Sequence, residues 1–179
     1  MGPLEITFLV IGIVAGVVLL VYLALVIMDL VFFFSFNQYW KKHRKGLEVV
    51  LNMKQENLLR VFDIFKTNKI AYSAELKEKL ESIDSKLFEQ LETKESKQAR
   101  DDLSIVRDEL FYIASQNPHI LTNEEYLLAK ENVLEQDVLF RKYVAMYNAD
   151  VLGFNYWSQK FMPTRYIFKI FKVTEKEII

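Results

Sequence analysis

The groups able to do chemistry are few in this chain of 179 residues. His43 and His119 are its two histidines, and it has no cysteine. A structural or catalytic zinc site needs several His, Cys or carboxylate ligands at short spacing. Neither histidine has such a neighbour. His43 lies within Lys41-Lys42-His43-Arg44-Lys45, and His119 follows Asn117-Pro118 and reads as a surface loop residue. The sequence holds no H-E-x-x-H, phosphate-binding loop or G-x-G-x-x-G pattern. A di-iron bundle would need Glu-x-x-His motifs, and none is present. Asp101-Asp102 and Asp108-Glu109 are adjacent acids, which on a helix point about 100° apart and read as solvated faces rather than acid/base pairs. The expectation is a protein without cofactor, metal or catalytic residues. An enzyme whose site is assembled from scattered polar residues is the remaining catalytic reading.

Three sets of residues carry the remaining signals. Arg141, Asn148 and Asn155 recur every seven residues, each directly after an aromatic. Polar groups beside an apolar seam must find partners, since an unsatisfied buried group costs about 1–3 kcal/mol. They either fix the register of a bundle or form a ligand or partner surface. Gly12 and Gly16 make a G-x-x-x-G pair, and such spacing lets two membrane helices approach closely. Self-association through this face is one reading, and chance spacing of a common residue is the other. Lys160, Arg165, Lys169 and Lys172 alternate with Phe161, Tyr166, Phe168 and Phe171, with no acid between residues 160 and 172. Such a segment suits an anionic membrane surface, at about 1 kcal/mol per basic residue. Alternatively, its aromatics cover the end of a bundle.

These residues must be positioned by helices. Glycine (5) and proline (3) are too scarce for a β-rich chain. Of the 24 acidic residues only Glu5 and Asp29 precede residue 37, and none of the 23 basic residues does. Beyond residue 36 the charges nearly cancel, which excludes the basic excess expected of a nucleic-acid binder. Ile6 to Met28 are uncharged and mostly aliphatic, where a bilayer crossing needs roughly 20 residues. The extreme N-terminus, Met1-Gly2-Pro3-Leu4-Glu5, lacks the positive charge of a cleavable signal, and Phe32-Phe33-Phe34 occupies the place of a small-residue cleavage site. Residues 1–5 are therefore expected as a short extracytoplasmic tail. Residues 6–36 form a transmembrane helix ending in an interfacial aromatic belt. The Lys41–Lys45 cluster places the remainder in the cytoplasm.

Residues 37–160 read as an antiparallel bundle of three to four long helices with coiled-coil-like packing, followed by the tail at 161–179. Leu47, Val50, Leu51, Leu58, Val61, Phe62 and Phe65 fall at helical intervals, continuing the membrane helix through Gly46. Thr67-Asn68-Lys69 is a weak turn. Leu76, Leu80, Ile83, Leu87 and Leu91 form a second stripe. Glu92 to Asp102 reads as a loop or kink, or as a solvated helical turn. Leu103, Val106, Leu110 and Ile113 resume the pattern. Ser115-Gln116-Asn117-Pro118 is a break, because Pro118 disfavours helix at Asn117. Thr122 or Asn123 caps the next helix, whose first turn holds Glu124 and Glu125 and which extends to about Lys160. Tyr126, Val133, Phe140, Tyr147, Phe154 and Phe161 recur every seven residues, with Val144 and Val151 alongside, the spacing of a left-handed seam.

Asn117-Pro118, Thr122-Asn123-Glu124-Glu125-Tyr126, Asp137, Tyr147-Asn148, Val151, Phe154-Asn155, Phe161 and Pro163 together resemble the LemA family. The chain departs from the family pattern before Pro118, at Asp137 and Phe154, and between Phe161 and Pro163. The resemblance implies a bacterial, single-pass protein of the cell membrane with a helical cytoplasmic part, and it brings no catalytic residues. The expected function is a membrane-anchored helical scaffold or interaction module. Its expected partners are the lipid bilayer, an unidentified protein and a possible second copy of the chain, with no nucleic acid. The rival is an oligomeric membrane-shaping or membrane-assembly protein using Gly12, Gly16 and the basic-aromatic tail.

Overall fold

A computed structural model describes residues 2–160, 165, 169 and 176–179. Among these residues all regular structure is helical. The helices are α1 (Pro3–Thr67), α2 (Ala74–Glu81), α3 (Lys94–Ser115) and α4 (Glu124–Lys160). Short 3-10 turns cover Ser85–Glu89 and Ile120–Thr122. The chain divides into two compact units. Met1–Tyr39 and Asp150–Lys176 form the first, and Trp40–Ala149 with Glu177–Ile179 the second.

In the first unit, α1 is long and apolar enough to cross a membrane, and its most apolar window buries no residue within the protein. Further along, Phe32 stacks on Trp157 at 4.9 Å and Phe33 packs on Phe154 at 5.0 Å. A Cβ placed on Gly153 would lie 2.6 Å from the Phe36 ring. A residue without a side chain is thus what lets α4 approach α1 there. Asp29 is 2% exposed. The one acid at the end of the apolar run is therefore enclosed by protein rather than offered to the surroundings, which suits a charge that is costly in hydrocarbon.

The second unit is a helical bundle around an apolar core. Leu47, Val50, Leu51, Leu58, Val61, Phe62 and Phe65 are all buried, as their spacing predicts. Leu103, Val106 and Leu110 bury the matching face of α3. Tyr126, Val133 and Tyr147 bury the seven-residue stripe of α4, while Phe140 and Val144 are half-buried. Three contacts fix how α1 and α4 run. Gly46 faces Tyr143, Lys54 pairs with Asp137, and Phe65 stacks on Tyr126. Position falls along α4 as it rises along α1, so the two helices are antiparallel.

The second stripe does not form one helix. Leu76, Leu80, Ile83 and Leu91 are buried, but α2 ends at Glu81 and Phe88 takes the buried place beside a half-buried Leu87. Short polar side chains here compete with the helical ladder for backbone groups. Asp84 accepts from the Lys86 amide at 2.9 Å, and Thr93 accepts from the Ser96 amide at 3.1 Å. Thr93 thereby caps α3, and Lys94 to Asp102 is its first part, largely solvated but with Ser96 and Ala99 buried. Gln55 of α1 donates to the carbonyls of Leu80 and Ile83, both at 3.0 Å, satisfying oxygens freed where α2 ends. Asn123, rather than Thr122, caps α4, accepting from the Tyr126 amide at 2.9 Å.

The weak turn after α1 is a Schellman motif. The Ile70 amide donates to Phe65 O at 2.9 Å and the Lys69 amide to Lys66 O at 3.2 Å. This places Lys69 at φ 56°, a conformation that costs a residue with a Cβ roughly 1 kcal/mol. Lys69→Gly is expected to stabilise the protein by about 0.5–1 kcal/mol. A higher urea midpoint for the variant in detergent, with unchanged helical circular dichroism, would show it.

Candidate functional site

The polar centre of the second unit is a carboxylate shared by two cations. Lys54 sits on α1 where an apolar residue is expected, between Leu51 and Leu58, and is 5% exposed. Its Nζ lies 2.6 Å from Asp137 Oδ1. Arg107 of α3 reaches the other oxygen, with Nη1 2.5 Å from Oδ2. Burial raises the Asp137 pKa, but the hydrogen bonds and charges of Lys54 and Arg107 outweigh it and hold the carboxyl below its ordinary range. Burial also lowers the Lys54 pKa, and a half-share of one carboxylate does not fully restore it. The triad ties α1, α3 and α4 together, and the exposed Asp108, 2.7 Å from Arg107 Nη2, offsets its second positive charge.

A cavity of about 370 Å³ opens over this triad. Lys54, Lys97, Arg100, Arg107 and Arg141 line it against Asp101 and Asp137, with Phe140, Val144 and Ile179 among the apolar walls. Arg100 donates to Leu91 O at 2.9 Å. Arg141 is exposed at the cavity margin. The polar row predicted from the sequence thus splits, because Arg141 contributes charge here while the asparagines bind backbone.

In the second unit, Asn148 holds both backbone groups of one residue. Its side-chain amide donates to Ile179 O at 2.9 Å, and its oxygen accepts from the Ile179 amide at 2.9 Å. Beside it, the Tyr147 hydroxyl donates to Glu92 Oε1 at 2.7 Å and lies 3.3 Å from Glu177 O. Burial, followed by the Glu92 hydrogen bond, pushes the Tyr147 pKa up. Arg44 pairs with Glu92 at 3.5 Å and lies 5.3 Å above the Trp40 ring. One member of the basic flank is thereby engaged in the fold, and His43 beside it is buried. In the first unit, Asn155 makes the same two-bond pair with Lys176, at 2.9 and 3.0 Å.

The other predicted positions are dispersed. A Cβ added to Gly12 or Gly16 would meet nothing within 4 Å, so that face is open. Arg165 and Lys169 are helical and exposed. Lys172, Phe161 and the side chain of Lys160 lie outside the described residues. His119 is exposed. Among the described residues no three His, Cys, Asp or Glu side chains cluster as metal ligands. Sequence reading named Asp137 only through the family resemblance and passed over Lys54 and Arg107. The available signal was a lysine in register with Leu47, Leu51 and Leu58.

No family model, curated protein or solved structure matches the chain.

Removing one partner of a buried ion pair leaves the others uncompensated. Asp137→Ala is expected to cost about 3–5 kcal/mol, against a much smaller loss when Lys54, Arg107 and Asp137 are replaced together by apolar residues. A depressed carboxyl contributes stability above its unfolded pKa of 3.8 that is lost as pH falls through the folded value. The urea midpoint of the native chain should fall between pH 5 and pH 3 (roughly, from the linkage relation) more steeply than that of Asp137→Asn.

Proposed function

We propose that this chain is a non-catalytic, membrane-tethered interaction module, with a LemA-like layout of one N-terminal anchor and a cytoplasmic helical unit. The observation that carries the proposal is the apolar run of α1, which buries nothing against the protein, on the same helix that supplies core residues to a charged-surfaced unit. A side that faces no protein needs another apolar medium, and a bilayer matches its length. The positive flank at Lys41 to Lys45 argues for the second unit in the cytoplasm and a short N-terminus outside. The residues shared with LemA proteins add a bacterial cell membrane to the proposal. The backbone-binding asparagines and the basic cavity favour recognition of a partner over chemistry.

The chain lacks cysteine, so one introduced thiol reports topology. Ser96 is fully buried and unsuited, whereas Glu109 is exposed on α3. Glu109→Cys should resist an impermeant maleimide in intact cells and react once the membrane is opened. Labelling in intact cells would overturn the cytoplasmic assignment. For the interaction role, a photocrosslinking residue at Arg141 should give discrete heavier adducts in native membranes, and none would contradict it.

A second reading is oligomerisation through Gly12 and Gly16, favoured by the open space around both. Crosslinked dimers in native membranes should then be lost in Gly16→Leu. A monomeric chain indifferent to that substitution would remove this reading.

A further inference from the structure

We infer that the second unit carries a binding site for an extended, acidic polypeptide strand, and that the chain's own residues 177–179 fill it. This deepens the interaction-module reading and rests on it. An extended residue points its N–H and C=O to the same side, whereas a helical residue points them in opposite directions along the axis. A single primary amide such as Asn148 can satisfy both groups only when the bound residue is extended. The two 2.9 Å bonds to Ile179 meet that condition. They contact no side-chain atom of the strand, so they select conformation rather than sequence.

Tyr147 adds a second point of contact. Glu177 and Ile179 are two residues apart, and alternate residues of an extended chain present their backbone groups along the same edge. The Tyr147 hydroxyl lies 3.3 Å from Glu177 O on that edge. Its single proton is directed to Glu92 at the shorter distance of 2.7 Å, so this contact is the weaker one. Asn155 makes the same two-bond pair with Lys176 in the first unit, so side-chain amides of α4 hold both backbone groups of a residue twice.

Charge defines the ligand class. Ile179 lines the cavity where five basic side chains face two acidic ones. Lys54 and Arg107 meet at Asp137, and Arg107 is further paired with the exposed Asp108 at 2.7 Å, so the basic excess of the cavity comes from Lys97, Arg100 and Arg141 set against Asp101. An acidic side chain carried on the strand would enter a site already arranged for an anion. The chain's own segment uses little of this, since Ile178 is 61% exposed and Glu177 is exposed. A strand with more acidic groups should therefore displace it. The partner implied is an acidic segment in extended conformation, held through its backbone.

The test uses the full chain in lipid nanodiscs. Ile178→Cys provides the sole thiol for a spin label. The label should be immobilised in this otherwise native chain and become mobile when Asn148→Ala is added. Ile179→Pro, which removes the same amide from the strand side without altering α4, should also free it. The probe is the peptide Val-Thr-Glu-Glu-Glu-Ile-Ile, the sequence of residues 173–179 with Lys176→Glu. It should raise the mobile fraction saturably and several-fold, and the same peptide N-methylated at its last amide should not. A label mobile from the start, or immobile in both variants, would overturn the clamp. An unresponsive label, or equal release by the methylated peptide, would overturn the strand site. Neither result bears on the Arg141 photoadducts, so the broader interaction reading is scored separately.

Discussion

An apolar helical surface with nothing of its own protein against it cannot stand in water, and much of this chain follows from that constraint. Ile6 to Met28 carry no charge, and the apolar window among them is wholly exposed. At about 25 cal/mol per Å² of apolar surface, leaving such a stretch hydrated would offset the marginal stability of an entire domain. The protein's own remedies are local. Phe32, Phe33 and Phe36 find Trp157, Phe154 and Gly153 on α4, and Asp29 is enclosed. The residues before them have no such cover, which is why lipid enters the proposed function as a structural component.

The second unit meets a different problem. It is held by ordinary apolar burial along α1, α3 and α4, but it also buries charge at its centre. A buried ion triad is rarely a source of stability compared with apolar packing. Its consequence here is positional. Lys54, Arg107 and Asp137 come from three helices and satisfy one another only in one register. Above them lies the cavity where Ile179 sits, whose basic excess comes from Lys97, Arg100 and Arg141. Register is thus set by side chains that also line the cavity assigned to the proposed strand.

Legibility in the sequence followed the range of the interactions. Periodicity exposed the core face of α1 from Leu47 to Phe65 and the seven-residue stripe of α4, because each depends on residues a turn or two apart. The break at Pro118 and the start of α4 were readable for the same reason. The segment 82–93 was not, since its apolar spacing imitates a helix while Asp84 and Thr93 cap against one. Asn148 and Asn155 stood out as a row, yet their partners at 179 and 176 are 31 and 21 residues away. The link from Lys54 to Asp137 spans 83 residues, and no local pattern announces it. Arg141 shared the spacing of the asparagines without sharing their role.

The central claim is that lipid covers the exposed run of α1. Membranes from cells expressing the full chain, washed in alkaline carbonate and floated through a density gradient, test it directly. Retention in the floated lipid fraction, lost when Val14, Leu19 and Leu23 are together changed to Lys, is the predicted result. Release of the unaltered chain into the soluble fraction as a folded protein would contradict it.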